Sequence, residues 1–400
     1  MKFSIPPKTS PSAEPLSPIH EKDYAALPPE ARAAYRPVDP KYERLPRICL
    51  VTYGVALFSL VIYIIACLSP AFADFFNQNV SSVLRSLFNL LTAWIPFSLG
   101  EACVWLLIPA LVFSLILAVR HYCDTWKSAL VFLGMLVSVL SVLFSLFVLN
   151  FATGYRGRGL DEKLGLDRQS VSADELYETA ELLREHINRE TESILYTEEG
   201  FSHMPYSLET MNAKLNETYA AFCDDHDFIS HVDGRVKPVL ISEAMSYMHI
   251  TGVYSFFTGE ANLNVNFPDY TLPFTAAHEM AHQRGIARED EANFVAYLIC
   301  ISSEDPYIRY SGYLNMYEYV IGALASADGE KFRMVNAHLN TEVREEIRAY
   351  NQFFETYADS TASKVSGTVN NSYLQSQGTP GTKSYGMVVD LAVAYYKQAN

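Results

Sequence analysis

No two cysteines in this chain are spaced as CxxC, and of the six only Cys223 and Cys300 lie beyond residue 152. That scarcity excludes a thiolate zinc ribbon and a disulfide-stapled scaffold, leaving a single Cys223–Cys300 bridge as an open option. Basic residues are also scarce: after residue 127 there are 19 Lys and Arg against 36 Asp and Glu, a net charge of −17. No nucleic-acid partner is expected of so acidic a region. No segment repeats at a fixed period, which excludes solenoid and propeller architectures. Charge is missing altogether from Ile48–Pro70, Ala102–Val119 and Ser128–Ala152. Each run approaches or exceeds the ~18–20 apolar residues that a bilayer crossing needs, so the lipid bilayer is the first expected partner.

The first apolar run follows a charged leader rich in proline (10 of 19 prolines fall within residues 1–46), unlike a cleaved signal peptide. Residues 1–47 hold eight Lys or Arg, whereas 71–101 hold only Arg85. The positive-inside rule then predicts a multi-pass protein of the cell membrane, with a cytoplasmic N-terminus and an extracytoplasmic C-terminal domain. Arg156 and Arg158 pull mildly the other way, and Ser86–Gly100, fifteen uncharged residues, is read as interfacial or re-entrant. If it crosses, the topology inverts. The expected division is a disordered cytoplasmic tail (1–47), a membrane domain with three transmembrane helices (48–152) and an extracytoplasmic domain (153–400).

Beyond the spans, helical spacing marks Val171–Glu192 behind the cap-like Ser172, and a second helix from about Ser207 to Cys223. Strands are expected at Val236–Ile241 and at Ala261–Phe267, where apolar residues alternate with Asn262, Asn264 and Asn266. From Pro273 to about Tyr357 the pattern is helical, broken near Asp305-Pro306 and Asp328-Gly329. A polar stretch, 360–384, precedes a last helix, Tyr385–Lys397. The fold class is therefore α+β, mainly α, with a small sheet.

Chemistry concentrates in His278-Glu279-Met280-Ala281-His282. Two histidines four residues apart on a helix share one face, so both imidazoles can reach one zinc ion, Zn2+. Glu279 is then aimed at the metal's water as general base. Pro273 suits the first helical turn, and Gly285 suits the C-terminal cap. A catalytic zinc also needs a third ligand, which the next helix offers as Glu289 or Glu291. Glu289 is preferred. It shares a face with the small Ala292, which lets the helices approach, and with Asn293, which can hydrogen-bond a ligand histidine. Glu291 is the alternative third ligand; whichever is not a ligand stabilises the helix start.

The run beginning TGVYSFFTGEANLNVNF and continuing through HEMAHQRGIAREDEANFVAYL to Leu298 resembles a bacterial membrane-protein family, domain of unknown function 3810. The apolar runs and the terminal SYGMVVDLAVAYY resemble it too, so the likeness covers about residues 48–398. It implies a zinc-peptidase-like domain. The ExxAN of Glu289, Ala292 and Asn293 is similar to the ExxAD of gluzincin peptidases, with Asn293 in place of Asp. In such sites an edge strand pairs with the substrate, here expected in ANLNVNF, and a phenol, here Tyr385, stabilises the oxyanion. Glu260 and Asn262 are candidates for the cleft or equally for a turn, and Asp390 for orienting a partner; His231 and His249 are read as structural.

The expected function is a membrane-anchored zinc metallopeptidase, a hydrolase that cuts a peptide or protein substrate with zinc-activated water. The other reading is a non-catalytic, membrane-anchored zinc- or peptide-binding domain with a sensory or structural role. Intramembrane proteolysis fits poorly, because no apolar run contains the HExxH.

Overall fold

Backbone polar groups without water must bond within their own segment, so uncharged runs of this length fold as helices. The computed structural model describes residues 17–399 and is mainly helical, with two small sheets. Of the leader expected to be disordered, residues 1–16 lie outside the described residues. Residues 17–46 carry two short strands, β1 (Ser17–His20) and β2 (Tyr35–Val38), paired in parallel. Five helices follow: α1 (Arg47–Leu68), α2 (Pro70–Phe76), α3 (Ser82–Thr92), α4 (Leu99–Leu117) and α5 (Trp126–Asn150). Among the described residues, α1, α4 and α5 are long and apolar enough to cross a membrane. α3 continues α2 through a π-helical turn (Asn77–Ser81), and this stretch, which carries Asp74 and Arg85, is not among the helices long and apolar enough to cross.

The chain divides into two compact units. One comprises residues up to Ala56 with Leu106–Val142, the other Leu57–Trp105 with Leu143 onward. Within the first, the Tyr53 hydroxyl donates to Gly134 O at 2.5 Å, and the Thr52 and Ser138 hydroxyls meet at 2.8 Å, pinning α1 to α5. The second unit contains α2, α3 and everything after α5. Its fully buried Arg85 donates to Asn77 Oδ1, Asn77 O and Asn150 O, each at 2.9 Å, and to Ser230 Oγ at 3.1 Å. Three carbonyl or amide oxygens and one hydroxyl thus take four donor contacts of a cation that has no carboxylate beside it among the described residues.

Local signals place most helices of this unit. They are α6 (Ala173–Glu190), α7 (Leu208–Asp225), α8 (Thr271–Gln283), α9 (Glu289–Ser302), α10 (Pro306–Ala327), α11 (Gly329–Ala337), α12 (Thr341–Glu355), α13 (Thr361–Ser376) and α14 (Val388–Ala399). Ser172 and Glu175 form a reciprocal capping box at α6, Ser207 caps α7, and Asp305 caps α10 through the amides of Tyr307 and Ile308. All thirteen residues of α8 are buried. The helix bearing the histidines therefore lies in the core, not on an amphipathic surface. Within the expected polar stretch, Ser360 accepts from Ser363 N at 2.9 Å and starts α13. Gly378 (φ 84°) follows the helix end. Cys223 and Cys300 are buried free thiols, not a bridge.

The three-stranded sheet is ordered β3 (Val236–Pro238), β5 (Glu260–Leu263), β4 (Gly252–Ser255). β3 stops early because Pro238 has no donor and the amides of Leu240 and Ile241 bond Glu101, at 2.9 and 3.1 Å. Of the expected edge strand, ANLNVNF, only residues 261–263 form strand, and they lie in the central β5, parallel to β3 and antiparallel to β4; residues 264–267 leave the sheet. The segment's asparagines mislead because Asn262 and Asn264 are buried and their side-chain amides donate to backbone carbonyls within the protein. Asn262 Nδ2 donates to Val253 O at 3.1 Å, and Asn264 Nδ2 to Ile250 O at 2.9 Å. Glu260 does not line a cleft. It is buried, pairs with Lys237 Nζ at 2.5 Å and accepts from Gly100 N at 2.9 Å, capping α4.

Glu260→Ala strands the Lys237 ammonium without its carboxylate. The expected cost is about 3–5 kcal/mol of stability, read by denaturant unfolding of the full chain in detergent. Wild-type stability in that variant would contradict a paired, buried role.

Candidate metal centre

The end of α8 sets the site. Gly285 takes φ 100°, its amide donates to His282 O at 3.0 Å, and Ile286 N donates to Ala281 O at 3.1 Å. These two bonds make the Schellman ending that reverses the chain into α9. The reversal brings Glu289, first residue of α9, onto the two histidines. His278 Nε2 and His282 Nε2 lie 3.2 and 3.4 Å from Glu289 Oε2. All three side chains are buried, and one ligand atom from each falls within 4.8 Å of the others. Glu291 points elsewhere, accepting from Leu160 N at 3.0 Å and Arg288 Nη1 at 2.8 Å.

Each histidine is oriented from behind. His282 Nδ1 lies 2.7 Å from Ile286 O, a carbonyl that only accepts, so Nδ1 carries the proton and Nε2 offers its lone pair. His278 Nδ1 lies 2.8 Å from Asn293 Oδ1, while Asn293 Nδ2 donates to Tyr319 Oη at 3.3 Å. The electrostatics favour a cation at the centre. Burial works to raise the Glu289 carboxyl, but the charges and hydrogen bonds of His282 and His278 outweigh it and hold it well below the usual range. Burial alone would lower His282, yet Glu289 drives it up to about 9, so a proton on Nε2 holds the place of a cation that would displace it to free the lone pair. Two Nε2 lone pairs and an ionised carboxylate form a donor set that fits a divalent cation of the zinc type.

Glu279 lies beside this cluster without belonging to it. Burial pushes its carboxyl up to about 7, against the charges of His278 and His282, and its Oε2 has no hydrogen-bond partner among the described residues. A Cβ on Gly252 of β4 would fall 2.6 Å from Glu279 Oε1, so only glycine lets the strand pass here. Tyr385 lies on a 3-10 turn (Gly381–Met387) and accepts from Asn370 Nδ2 at 3.4 Å. Burial, then the charge of Glu289 and that of Glu279, keep its phenol protonated.

Sequence reasoning missed the walls of the site. The rings of Phe151 and Tyr254 stand 5.6 and 6.5 Å from His282. Tyr155, hydroxyl to hydroxyl with Tyr373 at 3.3 Å, also feels Glu289. No short-range spacing joins these residues to the HExxH. Asp390 does not orient a site group; it lies 3.9 Å from Arg168, whose Nη2 holds Asp290 at 2.9 Å. His249 bonds Tyr357 O at 2.9 Å, and His231 lies 3.7 Å from Asp224; neither belongs to the cluster.

Fold and site together define a mainly helical chain with three apolar helices and a buried His/His/Glu cluster able to hold a metal. The chain belongs to the family described as protein of unknown function (DUF3810), whose model matches residues 76–393. No curated protein and no solved structure matches it.

Zinc titration separates the acids. Glu289→Gln is expected to lose most affinity, Asn293→Ala roughly 10–100-fold, and Glu291→Gln none. Loss in Glu291→Gln with retention in Glu289→Gln would reverse the assignment.

Proposed function

We propose that this protein is a membrane-anchored zinc metallopeptidase of gluzincin type, hydrolysing peptide bonds outside the cytoplasm. One observation carries the reading: Glu279, buried beside the His/His/Glu cluster, keeps an oxygen that no group among the described residues occupies. Metal binding alone has no use for such a carboxylate, whereas hydrolysis needs one.

His278, His282 and Glu289 would hold a zinc ion, which would supply Lewis-acid polarisation of the scissile carbonyl and a lowered pKa for water. Glu279 takes the proton of the attacking water and returns it to the leaving amine. Strand β4 offers the substrate a backbone. Asn264 N donates to Thr251 O at 2.9 Å, and Gly252 faces Leu263 one position on. Antiparallel alternation then turns the peptide groups of Gly252 and Tyr254 away from β5, towards the open edge. An extended peptide added there passes Glu279. Tyr385, held neutral, donates to the oxyanion as it forms.

The bias of eight Lys and Arg in the leader supports a cytoplasmic N-terminus, with three crossings placing the site outside. A reporter active only in the cytoplasm, fused after Asn400, is therefore expected to be silent; strong signal would reverse the topology.

Glu279→Gln is expected to keep stoichiometric zinc and lose peptide hydrolysis. Gly252→Ala is expected to keep zinc but lower turnover roughly 10²-fold, since its methyl displaces Glu279. Unchanged turnover in Glu279→Gln, measured by peptide-library digest, would favour a sensory or structural zinc domain.

A further inference from the structure

The ends of all three apolar helices converge on the elements that build the metal site. The last residue of α5, Asn150, donates through Nδ2 to Phe256 O at 2.5 Å, just past β4. The next residue, Phe151, packs on both His282 and Tyr254, with centroids 5.6 and 5.2 Å away. The first turn of α4 hangs from Glu260 of the neighbouring strand. Near the end of α1, Tyr63 accepts from Arg156 Nη2 at 2.7 Å and reaches Gln377 Oε1 at 3.4 Å. Helix α13 touches this same level: its Tyr373 packs 6.0 Å from Phe147, one turn inside α5.

Exposed apolar side chains gather beside these helix ends. Leu240 is 87% exposed, and its amide bonds Glu101 in the first turn of α4. Trp94 is 77% exposed, a few residues before α4. On α13, Val365 and Val369 are 60% and 64% exposed and share a face with Tyr373 at four-residue spacing. Apolar and aromatic side chains at the level where apolar helices end are the pattern of a membrane interface. Tyr373 in turn bonds Tyr155, and Asn370 bonds Tyr385, so α13 joins that level to the catalytic side.

We infer that the metal centre opens at the bilayer surface and acts on polypeptides tethered to that same bilayer, cutting close to where the substrate chain leaves the lipid. The substrate class rests on the metallopeptidase reading above; the placement at the surface does not. His282 lies one ring contact from the residue that follows α5. An extended peptide advances ~3.3 Å per residue, so the reacting bond falls on the order of two to six residues from the anchor.

The test uses the full chain in phosphatidylcholine–phosphatidylglycerol vesicles, with a randomised peptide library carried on a palmitoyl anchor. Any tether raises local concentration, so the decisive comparison sets a spacer of about four residues against one of about 20. Short-spacer peptides are expected to be cut roughly tenfold faster, with Glu279→Gln inactive on both. Equal or faster cutting of the long-spacer or untethered library would overturn the substrate class. If no library is cut, the peptidase reading falls with it, and the placement is decided separately. For that, nitroxides are attached at Val365→Cys and Val369→Cys, with Cys67, Cys103 and Cys123 replaced by serine and Glu185→Cys as the aqueous control. Quenching by oxygen over a water-soluble nickel chelate supports the surface placement. Accessibility equal to that of the control overturns it.

Discussion

The reversal at Gly285 is the constraint on which the site depends. A left-handed residue there ends α8 one turn after His282 and allows Glu289 to return over both imidazoles. The same turn exposes Ile286 O to His282 Nδ1, so one backbone event completes the His/His/Glu cluster and sets a histidine tautomer. Neighbours hold the turn in place: Asn77 Nδ2 bonds Gly285 O at 2.9 Å, and Arg288 bonds the carbonyls of Tyr155 and Gly157 at 3.1 and 2.6 Å. A side chain at Gly285 would be strained in φ and would also run into the Arg85 guanidinium.

These neighbours tie the apolar region to the chemistry. Asn77 and Arg85 come from the connection between the first two apolar helices, and Asn150 is the last residue of the third. A buried guanidinium without a carboxylate is costly unless its donors are met, and here oxygens from three segments meet four donor contacts. Removing any of these segments would leave polar groups unpaired beneath the metal helix. The connection therefore belongs to the scaffold of the site.

What was legible in the sequence was local. The cap at Ser172, the helix start near Ser207, the break at Asp305-Pro306, the glycine at 285, the i,i+4 histidines and the Glu289–Asn293 face are all short-range relations, and the structure places them as their spacing implies. The errors came where tertiary contacts reverse a local pattern. Alternating asparagines in ANLNVNF read as a half-solvated edge strand, yet Asn262 and Asn264 brace the segment that leads into β4. Glu260 read as a cleft residue because nothing nearby reveals Lys237 and the start of α4 as its partners. Gly252, Tyr254 and Phe151 were invisible as site residues, since only the fold brings them to α8. The buried character of α8 was equally hidden: His, Glu and Gln among its residues read as polar until their partners are known.

X-ray absorption at the zinc edge, on the full chain loaded with one equivalent of zinc, tests the central claim most directly. The account predicts a shell of about four nitrogen and oxygen scatterers at about 2.0–2.1 Å, with the outer-shell signature of two imidazoles and no sulfur. A sulfur shell near ~2.3 Å, or an all-oxygen shell without imidazole scattering, would contradict it.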